Sequence, residues 1–425
     1  MKLNFLADDF TGASDVLLQC RKNGMHAAII SDLETDAIVG SFDGIASTVR
    51  SMTPGQMDDY LPETLRKFRQ VGTDILLYKV CSTFDSSPTV GSIGYAIRLI
   101  RRQLGLSRPV VLVPAQPEFG RFTVFGNHFA ASGETVYRLD RHPVMSTHPT
   151  TPMGEADLRL ILAEQGIQPE RILDLPITSL RSGKLTLTDM LTAGEQADVI
   201  IVDALEEADL DIVARDLISA QERSGDLVTV IGSGGIAGAL ARTQGDGQDL
   251  GYRSFPPGAA LVLSGSRSPV TREQIDQAIS AGWMEIQLHP AALINRQLDE
   301  SYELERILTF LQHGRSVIVS IENGDATSTW GEPAALAEES GRVFTTYIRE
   351  AVKQVPSCRV AVLGGDTSSW TVSNLQPSRI QVVAPFVQAG PILNIDAPGM
   401  PPDTPFLLKG GQVGGPDTLI KFAAL

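Results

Sequence analysis

Short runs of aliphatic and β-branched residues recur along the chain. Between them lie longer stretches in which apolar positions return every three or four residues. The short runs predict strands at 2–7, 27–30, 44–48, 75–80, 110–114, 199–202 and 228–231. After a break they resume at 260–263, 316–321, 360–363 and 380–384. Runs this apolar, alternating with helical patterns, read as parallel strands covered on both faces. Three helix starts carry local signals. Thr151-Pro152 offers an N-cap hydroxyl and a proline at the first helical position, and the helix is expected to run to Gly166 with Leu158, Ile161 and Leu162 on one face. Thr271-Arg272-Glu273-Gln274 matches a capping box. Thr11 is expected to cap a helix from Ala13 to Lys22 that ends near Gly24.

The pattern breaks once. Residues 242–248 are polar and glycine-rich, and Pro256-Pro257-Gly258 follows. The expectation is therefore an α/β protein of two domains, residues 1–242 and 258–425, joined by a linker at 243–257. Each domain is expected to hold a mostly parallel sheet flanked by helices, with a ligand cleft between the two.

Composition narrows the function. Of 425 residues, 43% are hydrophobic and 20% charged, which is ordinary for a globular protein. No run of about 18 apolar residues occurs, so no membrane partner is expected. The formal net charge of −15 disfavours nucleic acid as a partner. An anionic ligand would have to be held by local cations, backbone N–H groups or a metal ion. Cys20, Cys81 and Cys358 form no C-x-x-C pair. With an N-terminus that runs straight into Asp8-Asp9, they lead to the expectation of a reducing, cytoplasmic setting. A homo-oligomer, a dimer, is also expected.

Candidate chemistry gathers just after the predicted strands, where doubly wound sheets bind ligands. Ala7-Asp8-Asp9-Phe10-Thr11-Gly12 places two carboxylates at a helix N-terminus, where they could bind hydroxyls, hold Mg²⁺ or accept a proton. They could equally cap the helix. Arg50 follows the third strand. Lys79 breaks an otherwise buried run and precedes Cys81-Ser82-Thr83-Phe84-Asp85, a mixture suited to a carboxylate and several hydroxyls. Arg121 follows a proline-bounded loop and could clamp a carboxylate bidentately, whereas His128 reads by default as a structural histidine.

In the second half, Ser264-Gly265-Ser266-Arg267-Ser268, Gly364-Gly365-Asp366-Thr367 and Lys409-Gly410-Gly411-Gln412-Val413-Gly414 each follow an apolar run. Such turns let backbone N–H groups approach phosphates, and Asp366 could hold a metal ion through water. No P-loop, H-E-x-x-H pair or G-x-S-x-G elbow is present. Gly232-Ser233-Gly234-Gly235-Ile236-Ala237 fits a loose dinucleotide fingerprint, but Asp246 and Asp249 fall in the polar break and not on a following strand. A close helix–strand packing turn is the better reading.

Taken in order, Ala7–Ala13, Tyr78-Lys79 with Ser82-Thr83, Pro114–Pro117 with Gly120-Arg121, Val202-Asp203-Ala204, Gly232–Gly235, Ser264–Ser268, Gly364–Ser368 and Lys409–Gly411 resemble the four-carbon acid sugar kinases across nearly the whole chain. That resemblance implies an N-terminal domain that binds an acid sugar and a C-terminal domain that binds ATP with Mg²⁺. It carries catalytic roles to Asp8, Asp9 and Lys79, and substrate contacts to Thr11, Arg50, Ser82, Thr83, Asp85 and Arg121. It carries nucleotide contacts to Ser264, Ser266, Ser268, Gly364, Gly365, Asp366, Thr367, Lys409, Gly410, Gly411 and Gly414, with Asp366 toward the metal. Two departures bear on which acid is used. Many members have Asp where Cys81 stands and Arg-Gly after the Ser-Thr pair, and many have Glu at the position of Asp366. A nicotinamide-dependent oxidoreductase and a non-catalytic sugar-acid-binding protein are the alternatives.

Overall fold

The computed structural model describes residues 1–31, 33, 41–148, 150–193, 197–246, 251–322, 333–388 and 390–425. Its strands in chain order are β1 (Leu3–Ala7), β2 (Ile29–Ile30), β3 (Phe42–Ala46), β4 (Ile75–Lys79), β5 (Val110–Val113), β6 (Arg121–Val124), β7 (Asn127–Ser132), β8 (Thr135–Arg138) and β9 (Ile172–Leu175). They continue as β10 (Val199–Val202), β11 (Val228–Gly232), β12 (Ala260–Ser264), β13 (Met284–Leu288), β14 (Val317–Ile321), β15 (Arg359–Leu363), β16 (Arg379–Val387), β17 (Gly390–Asp396) and β18 (Phe406–Lys409). The helices are α1 (Phe10–Lys22), α2 (Pro54–Gln70), α3 (Ile93–Leu104), α4 (Leu158–Glu164), α5 (Ile177–Ser182), α6 (Leu187–Thr192) and α7 (Glu207–Ser224). After them come α8 (Gly234–Gln244), α9 (Pro269–Ser280), α10 (Pro290–Ile294), α11 (Glu300–Gln312), α12 (Pro333–Gln354), α13 (Gly365–Leu375) and α14 (Thr418–Ala424).

Two compact units form. The first comprises Met1–Asp8, Gln19–Ala27 and Asp32–Leu250; the second comprises Asp9–Leu18, Ala28–Ser31 and Gly251–Leu425. Part of the expected linker, residues 247–250, lies outside the described residues, and so does Asp249.

In the first unit the main sheet runs β3-β1-β4-β11-β5-β10-β9, with every neighbouring pair parallel. The sequence reason is visible in the strands themselves: β1, β3, β4, β5, β10 and β11 are buried at every position, so an alternating one-sided pattern is absent. Phe5 and Phe42 meet edge to face across β1 and β3, with ring centroids 5.9 Å apart. The register brings the carboxyl ends level. Ala7 stands opposite Ala46 and Lys79, Lys79 opposite Gly232, and Gly232 opposite Val113. A small antiparallel sheet, β6-β7-β8, is pinned to this edge by bridges from Gln116 to Arg121 and from Thr123 to Ala204.

The second unit orders its strands β13-β14-β12-β15-β18-β17-β16-β2. The run from β13 to β18 is parallel, and the remaining pairs are antiparallel. Here too the ends align: Ser264 faces Ser320 and Leu363, and Leu363 faces Lys409.

Three expected helix starts differ from the structure. Residues 151–157 are not helical; α4 begins at Leu158, where the Asp157 carboxylate accepts from Arg159 N. The Thr151 hydroxyl instead donates to Asp85, which removes it as a cap. Helix α9 begins at Pro269 with Ser268 as its N-cap, so Thr271 lies inside the helix. Helix α1 begins at Phe10, and the capping acceptor is Asp9, which takes the Gly12 N–H at 2.8 Å and the Thr11 hydroxyl.

Candidate active site

The carboxyl edge of the first unit collects the carboxylates Asp8, Asp85 and Asp203, three cations and a row of hydroxyls. Asp8 leaves β1 and is nearly fully buried. Arg50, in the turn after β3, grips it with two parallel bonds, Nε to Oδ2 at 3.1 Å and Nη2 to Oδ1 at 2.7 Å. The backbone repeats the link, because Arg50 N donates to Asp8 O at 3.0 Å. A buried bidentate pair of this kind fixes orientation, and removing either partner leaves a charge stranded. Tyr78 lies beneath it, its hydroxyl pushed well above the ordinary phenol range by burial and by the neighbouring Asp8 charge.

Lys79 ends β4 with only 3% of its surface exposed. Its ammonium donates to Val80 O at 2.9 Å and has no carboxylate within ion-pair distance among the described residues. Arg121 begins β6. Its Nη1 reaches the carbonyls of Phe119 and Ala131, while its Nε is enclosed with no acceptor. Burial holds its pKa below the usual guanidinium value. Two enclosed cations without a carboxylate are costly unless a ligand supplies the anion.

The loop after β4 is held from behind by His128. Burial lowers its pKa to about 4, so it is neutral at pH 7. Its Nε2 donates to Ser82 O at 2.8 Å, and Nδ1 accepts from the Thr123 hydroxyl at 3.0 Å. The expected structural histidine is what the structure contains. Cys81 Sγ lies 3.1 Å from Thr83 Oγ1, and Ser82, Thr83 and Asp85 are half-buried on the same loop. Asp203, which no single-residue reading singled out, is buried and accepts from Phe125 N, Gly126 N and Ile177 N at 2.6, 3.1 and 3.0 Å. It anchors the β6–β7 turn and so the strand that carries Arg121. Its signal was its place immediately after an apolar run.

The glycine fingerprint at Gly232 is a packing turn. A Cβ on Gly232 would lie 2.8 Å from Val113 O, and one on Gly235 would lie 2.5 Å from Ala115 O. Ser233 Oγ donates to Ala115 O at 2.9 Å. The close approach that glycine permits is taken up by the neighbouring strand.

In the second unit the predicted residues form two groups. Asp9 and Thr11 belong here, and Phe10 N donates to Ser369 Oγ at 3.1 Å. Ser369 lies on α13, in the segment that follows β15. The other group surrounds the ends of β12, β15 and β18. Gly364 has φ +108°, a backbone state side chains avoid, and its N–H donates to Lys409 O at 2.9 Å. A Cβ on Gly265 would stand 2.0 Å from Thr367 Oγ1, and one on Gly411 would stand 2.6 Å from Ser266 Oγ. These turns are therefore in mutual contact. Ser266 Oγ donates to Thr271 Oγ1 at 3.1 Å and accepts from Ser268 N at 3.2 Å. Ser264 Oγ is buried without a partner. Gly365 and Asp366 open α13 and are half-buried.

Lys409 does not extend outward. It is completely buried, and its ammonium donates to Gly410 O at 3.0 Å, Val413 O at 3.1 Å and Thr271 Oγ1 at 3.4 Å. Burial lowers its pKa to about 7. Thr271 and Gln274, one turn apart on α9, face the same loop; sequence reading placed Thr271 only as a cap. Among the described residues no three His, Cys, Asp or Glu side chains gather as a metal cage. Asp366, in the first turn of α13 beside Gly364 and Gly365, is a carboxylate of the kind that could hold Mg²⁺ through water.

Two domain models match the chain, one after the other. A sugar-binding N-terminal domain model matches residues 3–240, and a nucleotide-binding C-terminal domain model matches residues 261–419. The chain is 34% identical to a 3-oxo-isoapionate kinase of Paraburkholderia graminis, over 97% of this chain and 92% of that protein. It is 28% identical to a 3-oxo-tetronate kinase of Pseudomonas fluorescens, over 99% and 96%. A crystal structure from Salmonella typhimurium LT2, described as a candidate tRNA synthase, superposes with a TM-score of 0.74 at 25% identity, covering 99% of this chain and 98% of that one. A Haemophilus influenzae protein shares the fold at TM-score 0.68 and 21% identity, with 99% of each chain covered. No described helix is long and apolar enough to cross a membrane. With both of its domain models matched in order and its full length aligned to sugar-acid kinases, this chain belongs to the four-carbon acid sugar kinase family.

Proposed function

We propose that this chain transfers the γ-phosphoryl group of ATP to a terminal hydroxyl of a small sugar acid, a 3-oxo acid of four or five carbons. The observation that carries the acid part is the pair of enclosed cations, Lys79 and Arg121, which have no carboxylate partner among the described residues. A carboxylate entering there would satisfy Arg121 Nε and the remaining Lys79 donors, and its burial would be compensated. Ser82, Thr83, Asp85 and Thr11 supply hydroxyl and carboxylate groups for the polyol part. Arg50 is committed to Asp8 and acts by holding that carboxylate in place.

Asp8 or Asp9 hydrogen-bonds the attacking hydroxyl and accepts its proton. Asp9 accepts from Gly12 N and the Thr11 hydroxyl, which fixes its orientation. An oriented carboxylate is sufficient, since phosphoryl transfer proceeds mainly by positioning and charge stabilisation. ATP supplies the phosphoryl group, and Mg²⁺ neutralises phosphate charge when bound. The turns at Ser264–Ser268, Gly364–Thr367 and Gly410–Gly414 hold the phosphates through backbone N–H groups and hydroxyls, with Asp366 toward the metal. The reaction belongs in the cytoplasm, where ATP is available and the three free thiols stay reduced.

The relatives' named substrates, 3-oxo-isoapionate and 3-oxo-tetronate, support a keto acid over a simple aldonate. The test is an ADP-release screen of four- to six-carbon aldonates against their 3-oxo forms. Turnover is expected with a 3-oxo acid and not with the matching neutral polyol. Equal turnover of acid and polyol would remove the assigned role of Lys79 and Arg121.

A further inference from the structure

The carbonyls of the loop after β18 are tied inward. Gly410 O accepts from Lys409 Nζ, Gly411 O accepts from the Thr271 hydroxyl at 2.8 Å, and Val413 O accepts from both Lys409 Nζ and Gln274 Nε2, the latter at 3.0 Å. A trans peptide points its C=O and the following N–H in opposite directions. Turning those three carbonyls inward therefore turns the N–H groups of Gly411, Gln412 and Gly414 outward. None of the three has an acceptor among the described residues, and the loop is half-buried to exposed. Lys409, meanwhile, has three N–H donors and three protein acceptors. It has none to spare for a ligand.

We propose that Lys409, with Thr271 and Gln274, is a positioning residue that shapes the 410–414 loop into an anion cradle of outward backbone amides, and that it does not itself touch the phosphate. This rests on the nucleotide assignment above and changes what its lysine does. The three side chains come from β18 and α9, so the cradle is locked by two elements, one of which ends at the loop. The ammonium's own partners carry no charge, and the Asp417 carboxylate lies beside Gly415 at the far end of the loop. Thr271 and Gln274 face the ammonium from α9, Ser266 and Ser268 border Gly411 from the loop after β12, and Thr418 of α14 borders Gly414. The positive charge thus reaches a bound anion through the loop, and a nearby phosphate would favour the protonated lysine.

The experiment compares wild type with Lys409→Met, Thr271→Val and the double variant, reading ATP affinity by calorimetry, kcat and KM for ATP, and hydrogen exchange of residues 410–415 without nucleotide. Met keeps most of the buried volume, and Val is close to isosteric with Thr. Positioning predicts that each single variant weakens ATP about tenfold or more, with kcat changed by less than about threefold. It also predicts that the double variant is little worse than the weaker single one, because both act on one loop. Exchange at Val413, whose N–H donates to Gly410 O at 3.3 Å within the loop, should quicken in both single variants. Independent, multiplying losses, unchanged exchange, and a kcat drop of about a hundredfold in Lys409→Met alone would instead mean direct contact with the transferring phosphate and would overturn the proposal. Wild-type turnover of any sugar acid in the same assays keeps the kinase reading standing in either outcome.

Discussion

In the proposed function, recognition of the acid depends on Arg121 and Lys79. Replacing Arg121 with Met should lower kcat/KM for the acid substrate about a hundredfold and leave KM for ATP within about twofold, as steady-state kinetics with each substrate varied would show. Unchanged kcat/KM would place the carboxylate elsewhere. His128 makes a separate prediction. Its folded pKa, near 4, lies below its ordinary 6.5, so the unfolded chain binds more protons between those values. Stability is therefore full above about pH 6.5 and declines as pH falls toward 4, by about 3 kcal/mol at most from this group. Urea titrations of wild type and His128→Gln across that window should show a shallower pH slope in the variant. The residue types at these positions were legible in sequence because each interrupts or directly follows an apolar strand. Their partners were not. That Asp9 caps its own helix was one of the two readings the local sequence offered. Nothing local tells that Arg50 is spent on Asp8 or that Lys409 turns inward, since each depends on contacts distant in sequence or on backbone direction.

At the scale of elements, most strands buried on both faces were readable to within a few residues, although β18, buried at every position, was not among the predicted runs. The strands β1, β4, β5, β10, β11, β12, β14 and β15 coincide with the predicted runs because neither face meets water. Partly exposed strands escaped. The three strands from Arg121 to Arg138 carry arginine, histidine and threonine among half-buried positions, and β9 and β13 each mix charged and apolar residues. Helix starts failed where another polar group competed: the Ser268 hydroxyl before Pro269 outranked Thr271, and the Asp85 carboxylate drew Thr151 away. The glycine turns allow a direct test. Gly265→Ala would drive a methyl to 2.0 Å of Thr367 Oγ1, and Gly364→Ala would place alanine at φ +108°. Each should cost about 1–3 kcal/mol of stability and weaken ATP binding at least tenfold. Gly55→Ala, whose Cβ meets nothing within 4 Å, should change neither. Thermal melts and ATP titrations on the three variants would check this.

For the molecule as a whole, charge and chemistry oppose each other. The chain carries −15 and must bind ATP and an acid, both anions. Attraction must come from enclosed local groups, which salt screens little, while the repulsive overall field is screened strongly. Raising ionic strength from about 0.05 to 0.2 M should therefore leave KM for ATP unchanged or lower it. A steep rise would point to exposed cations as the binding groups. The two-part plan was legible from the polar break and from the different chemistry of the two halves. The grouping of Asp9–Leu18 and Ala28–Ser31 with the second unit was not, because chain continuity conceals which unit a short segment packs in.

The central claim is that a terminal hydroxyl of a small acid becomes a phosphate ester. Phosphorus NMR of the product made from ATP and a 3-oxo-tetronate or 3-oxo-isoapionate substrate tests it most directly. The account predicts a new monoester signal split into a triplet by two protons on the esterified carbon. A doublet would contradict the terminal position, and the appearance of inorganic phosphate alone would contradict transfer to the acid altogether.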